Sequence, residues 1–170
     1  MGYMAAVWKP SASERAFVAL LRASGLATKA QLEDARREAR ANGQAIDEVL
    51  AGTIDAGELR AVMSHAWRIS AIDLATDWID VDLVRRWEGS AYIAQHWLPV
   101  RDQSDGSVLV ATSREPDAQL TAAIEEVVTS RVEYAAATSA DIRAAVERAF
   151  ATTPVVRSWR LARRPARARD

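Results

Sequence analysis

His65 and His96 are the only histidines in the chain, and cysteine is absent. Disulfides, a thiolate metal site and a multi-histidine metal site are therefore excluded. A single imidazole can still act as a general base if a partner orients it. His65 stands two residues before Trp67 on an expected helix, and His96 stands beside Trp97 where a strand is expected to begin. Both read as structural or surface histidines rather than bases. Carboxylates gather at Asp73, Asp77, Asp80 and Asp82, and again at Glu125 and Glu126. Paired carboxylates can do acid/base work or hold a hard cation. These do not follow calcium-loop spacing. Asp80 and Asp82 stand at a helix start, and the Glu pair falls on a helix's polar side. The chain also lacks a phosphate loop, a Gly-x-Gly-x-x-Gly turn and a Gly-x-Ser-x-Gly elbow, and its glycines are scattered. No catalytic residue emerges, and the chain is expected not to be an enzyme. Four of its tryptophans, Trp67, Trp78, Trp87 and Trp97, fall in the middle third. They are expected to form a satellite core joining two halves of the molecule, with a base-stacking platform as the alternative.

The elements that would position these groups follow from periodicity. Residues 1–12 read as a flexible arm. Residues 13–67 read as four helices in two hairpins. Phe17, Leu20 and Leu21 supply the first apolar stripe, and Gly25 ends that helix. Thr28 and Gln31 make a capping box for the second, which turns Leu32, Ala35 and Ala39 inward. Ile46, Val49 and Leu50 mark a short third helix. Asp55 caps a fourth that buries Leu59, Val62, Met63 and Ala66. Gly25 precedes Leu32 by the same interval that separates Gly52 from Leu59, which makes an approximate internal repeat. Residues 68–96 read as a connector with an extended piece near residues 72–74 and two short helices. Residues 97–150 read as strand, strand, helix, strand, helix. Ser104-Asp105-Gly106 supplies the turn of the first hairpin, and Asp117 caps the helix that follows. The last helix is expected to bury Ile142, Ala145, Val146 and Phe150. The fold class expected is α+β: a helical subdomain, then a small three-stranded sheet covered by helices.

Nearly half of the 170 residues are apolar, at 49%, enough for a core of one domain or two small ones. The net charge is −1, which gives no pull toward nucleic acid, so no specific nucleic-acid partner is expected. The charge is uneven. Residues 151–170 carry six Arg and one Asp, a basic tail on an acidic body. That tail is expected to be disordered and could touch an anionic membrane. No apolar run is long enough to span a bilayer, and the first ten residues do not make a signal peptide. A cytoplasmic location is expected, membrane-peripheral if a partner holds it there.

The run FVALLRASGLATKAQLEDARREA resembles the helical repeat of the N-terminal domain of type II secretion and type IV pilus assembly ATPases. AWRISAIDL resembles the linker after the second repeat, and WLPVRDQSDGSVLVATSREPD with RVEYAAATSADIRAAVERAF resembles the sheet-and-helix half. The resemblance covers residues 13–150. It implies an accessory module without the ATPase, docking to a protein partner of a secretion, pilus or polysaccharide system. The same module is appended to some bacterial glycosyltransferases, which implies an accessory domain of such a system as another reading. In the MshE-type branch the module binds cyclic di-GMP through a repeated motif: Arg-Leu-Gly, a Gly, then Leu, Leu and Gln along the next helix. Carried over by position, the implied ligand residues are Arg15, Phe17, Leu32 and Arg36 in the first repeat. In the second they are Gln44, Leu59 and Met63. Arg15 stands one place early, and Ala16, Phe17 and Val18 replace Arg-Leu-Gly. Gln44, Ala45 and Ile46 replace it in the second repeat, and Ala39 and Ala66 replace the Gln residues. The residues that fold the helices persist while those that would hold the ligand are replaced. The preferred function is therefore a non-catalytic interaction or regulatory module, with a cyclic di-GMP sensor as the alternative. No metal is implied.

Overall fold

A computed structural model of the protein describes residues 12–151. The expected arm lies almost wholly, and the Arg-rich tail beyond Ala151 entirely, outside the described residues. Four helices come first: α1 (Ala12–Ala23), α2 (Lys29–Asn42), α3 (Ile46–Leu50) and α4 (Ala56–Trp67). Thr28 and Gln31 make the expected capping box on α2. Gly43, with φ 65, closes the helix in the left-handed conformation. Asp55 caps α4 by accepting from the amides of Gly57 and Glu58. The apolar stripes of the four helices meet in one cluster, built on Phe17, Leu21, Leu32, Leu50, Leu59 and Met63. Each stripe is too narrow to be stable alone, and the two hairpins supply each other's missing partner.

The second half holds α5 (Val81–Val84), α6 (Gly89–Gln95), β2 (Trp97–Asp102), β3 (Val108–Thr112), α7 (Ala118–Val128), β4 (Val132–Ala136) and α8 (Ser139–Ala151). Gly106, with φ 81, closes the β2–β3 hairpin. The Asp105 carboxylate accepts from the Ser107 amide at 3.0 Å and fixes the turn. β3 and β4 run parallel, joined across α7. Leu83, Tyr92, Leu98, Val110, Ile124 and Ile142 anchor the larger apolar cluster. Ala136, at the end of β4, belongs to the helical cluster, so the sheet meets the hairpins directly.

The α+β class is as expected, with differences in detail. The sheet has four strands, a short one lying beside β4 on the side away from β3 and β2. The added strand is β1 (Ser70–Ala71), parallel to β4, with Ser70 opposite Ala135 and Ala71 opposite Ala136. It falls two residues before the extended piece read from Ile72 to Leu74. Ser-Ala has no strand preference of its own. Its pairing is imposed by the helical hairpin, because α4 packs on β1 and β4 together. Phe150, expected in the core, is 44% exposed, and Ala149 is buried in its place. The Phe150 ring lies over Gly89, where there is no side chain to cover it. The tryptophans do not make one satellite core either. Trp97 is buried and Trp87 packs against the larger cluster, whereas Trp78 is 65% exposed on the connector.

Candidate functional site

A cleft of about 810 Å³ opens where the helical hairpins meet the end of the sheet. Its walls come from distant parts of the chain. α1 contributes Glu14 and Phe17, α2 contributes Arg36 and Arg40, and the turn into α3 contributes Gln44. Met63 and Trp67 of α4 line the apolar floor. The opposite wall is His96, just before β2, and Ser113, Arg114 and Glu115, just after β3. This placement follows from the repeat. Each hairpin turns its polar connector and one apolar edge outward, and the sheet end closes the third side.

The residues implied by the family motif divide in two. Phe17, Arg36, Gln44 and Met63 come together on the cleft. Leu32 and Leu59 are buried behind it in the helical cluster, where they pack against Phe17 and Met63 rather than reach the opening. Arg15 is exposed on α1 and does not line the cleft. Arg36 is tied to Glu14, Nε to Oε1 at 3.2 Å, and both side chains are half-buried. The guanidinium thus enters the cleft already neutralised and oriented. The Trp67 indole N–H is buried and has no hydrogen-bond acceptor among the described residues.

Asp47 is a cleft residue that motif reasoning does not reach. It sits on α3, and its carboxylate accepts from the Ser139 amide at 2.6 Å and the Ser139 hydroxyl at 3.1 Å. The Ser113 hydroxyl lies 2.9 Å from that of Ser139. Burial lifts the Asp47 carboxyl to about 6, since the charged form loses its water. The two Ser139 donors hold the value down, and the nearby Glu48 charge adds to the rise. His96 is pushed the other way: burial lowers its pKa, Glu48 opposes, and Arg114 adds to the lowering. His96 takes the left-handed conformation, φ 62, that caps α6, and it lines the cleft. The available signal for Asp47 was its position directly after the second repeat's Gln44-Ala45-Ile46. Ser113 and Ser139 carried no signal, because they become neighbours only through the fold.

Among the described residues no group of His, Asp and Glu is arranged to hold a metal ion. Of the carboxylates at Asp73, Asp77, Asp80 and Asp82, those of Asp73 and Asp80 serve local structure. Asp80 caps α5, and Asp73 accepts from the Ala75 amide and lies 3.4 Å from Arg60. Glu125 and Glu126 are exposed on α7, as expected. No helix among the described residues is long and apolar enough to cross a membrane.

A family model, the MshEN domain, matches residues 55–155. Among solved structures, one of MshE with cdg matches with a TM-score of 0.55 and 20% identity, covering 78% of this chain and 96% of that one. The N-terminal domain of XpsE matches with a TM-score of 0.60 and 14% identity, covering 83% of this chain and 98% of that one. No curated protein matches the sequence. The resemblance to secretion and pilus ATPase N-terminal domains is borne out at the level of family and fold.

Proposed function

The chain belongs to the MshEN domain family, and from that membership we propose that it is a non-catalytic regulatory or protein-interaction module of a secretion, pilus or polysaccharide system. The observation that carries this reading is the cleft between hairpins and sheet end. A partner or ligand seated there touches both halves at once, which is what a module that reports an occupied state to its neighbours requires. The partner is a protein of that system, and the module works in the cytoplasm, brought to the membrane through that partner. The pure chain, given ATP and magnesium, releases no phosphate above the buffer rate; steady hydrolysis would overturn the reading.

A second reading has its own support. Phe17, Arg36, Gln44 and Met63, drawn from both repeats, line one cleft, and the related MshE has been solved with cdg. Cyclic di-GMP would place its phosphates toward Arg36 and its bases on the Phe17 and Met63 floor. Calorimetry decides it. Micromolar or tighter binding that Arg36→Ala weakens makes this a sensor, and no heat at millimolar ligand leaves the interaction module alone. Leu32→Ala and Leu59→Ala act on the core behind the cleft, so they are expected to report stability rather than contact.

A further inference from the structure

Asp47 is a buried carboxylate without a counter-charge. It is 3% exposed, and no cation contributes to its environment. Its bonds join two elements far apart in sequence, α3 and the first residue of α8. The Ser139 hydroxyl has one proton. When Asp47 is neutral its carboxyl O–H can donate to the Ser139 oxygen and the Ser139 proton goes to the Ser113 hydroxyl, so three elements close on one carboxyl. When Asp47 ionises, the Ser139 proton turns to the carboxylate and the bond to Ser113 depends on the Ser113 proton alone. The charged groups around it are otherwise engaged. Glu48 of α3 pairs with Arg143 of α8. Asp141 of α8 pairs with Arg60, Arg114 with Asp117, and Glu14 with Arg36. Arg40 and Glu115 lie on the cleft wall, and His96 faces the same space.

We propose that Asp47, Ser139 and Ser113 form a proton-controlled latch, in which neutral Asp47 seats α3 on the first turn of α8 and ionised Asp47 loosens that seat and the cleft wall above it. The sign follows from linkage. The closed form holds the Asp47 proton up to about 6, whereas an opened, hydrated carboxyl returns toward 3.8. Closed therefore binds the proton more tightly, and rising pH favours open. The Arg143–Glu48 pair joins the same two helices at a more exposed position, so opening is local rather than a separation of the halves. The latch stands whichever ligand, if any, occupies the cleft.

Amide hydrogen exchange on the full chain tests it, with rates corrected for intrinsic pH dependence and Val110 of the central strand as the reference for global opening. Protection of the Ser139 amide is expected to fall at least about tenfold between about pH 4.5 and about pH 7.5 while staying below that of Val110 throughout, the mark of an opening short of global unfolding. The Met63 methyl resonance, on the cleft floor, shifts with the same midpoint. Asp47→Asn removes the dependence. Ser139→Ala, which deletes one donor and keeps the amide, moves the midpoint upward. It also keeps the test decisive if Asp47→Asn does not fold. The latch is overturned if Ser139 is as strongly protected as Val110 at every pH, which would mean that only global unfolding exposes it, or if Met63 stays silent. It is equally overturned if Ser139→Ala leaves the midpoint in place, or if the fall survives in Asp47→Asn, since His96 acts in the opposite sense and could not produce it.

Discussion

Arg60 on α4 donates from Nη1 to Asp141 Oδ2 at 2.8 Å, joining the second helical hairpin to the first turn of α8. Both side chains are largely buried, and Arg60 also lies 3.4 Å from Asp73 on the connector. Asp141 further accepts from the Thr138 amide and closes the helix start, so one guanidinium holds three segments in place. Arg60→Ala strands Asp141 with its charge half-desolvated. The expected loss is ~2–4 kcal/mol in urea unfolding. Arg60→Met keeps the packing of the stem but not the charge, and falls at or below the same loss. A change under about 0.5 kcal/mol for Arg60→Ala would mean the pair is solvated in solution.

Stability should depend on pH through two groups of opposite sign. The folded pKa of Asp47 is raised to about 6, from an ordinary 3.8. Its contribution is present in full below the ordinary value and is lost as pH rises through about 6. That is worth on the order of 2–3 kcal/mol. The folded pKa of His96 is lowered from 6.5, so its contribution is present above that value and is lost as pH falls. In a His96→Asn background, unfolding free energy should decline from about pH 4 to about pH 6.5 and then level. In Asp47→Asn that decline should be absent.

Tyr92 donates its phenolic O–H to the Val84 carbonyl at 2.8 Å in a fully buried setting. Its ring lies edge-on to Trp87 at 6.5 Å and Trp97 at 5.1 Å. Tyr92→Phe retains both ring contacts and leaves the carbonyl unpaired. Denaturation should show a loss of about 1–2 kcal/mol. Near-UV circular dichroism from the tryptophans should remain close to the parent's, and its collapse would mean that the hydroxyl holds the whole aromatic stack.

Gly89 opens α6 directly beneath α8. A Cβ there would fall 2.8 Å from Val146 Cγ1 and 3.0 Å from the Phe150 ring. Val146 is buried and cannot yield freely, while Phe150 is partly exposed and can swing. Gly89→Ala should lower stability by about 1–3 kcal/mol through overpacking. A double variant, Gly89→Ala with Val146→Ala, should recover part of that loss if the clash is the cause. No recovery would point to the backbone instead.

Helix boundaries were legible because capping chemistry is local. Thr28, Asp55, Asp80 and Asp117 each bond to an amide two or three residues on, and each was identifiable from its neighbours. The hairpin turn at Asp105-Gly106 was legible for the same reason. β1 was not. Ser70 and Ala71 gain their strand character from the parallel partner, Ala135 and Ala136, and the pattern beside them pointed only to an extended piece at residues 72–74. Phe150 carried the right spacing for the core, yet the fold gives it only the glycine edge of α6 to lie on.

The candidate site divides along the same line. The repeat, read one residue at a time, brings Phe17, Arg36, Gln44 and Met63 to the cleft, since helical spacing sets which edge of each hairpin faces outward. Leu32 and Leu59 hold motif positions as well but face the core, a distinction that depends on which hairpin covers which.

By itself the sequence determined the helical hairpins, their caps, the β2–β3 turn and the family, because these rest on interactions spanning a few residues and on a repeated pattern. Only the tertiary structure decided the cleft's second wall, the β1–β4 pairing, and the meeting of Asp47 with Ser139 and Ser113. These depend on desolvation and on hydrogen bonds between segments up to 92 residues apart. A carboxylate has no unusual pKa in a string of letters; it acquires one when burial removes its water.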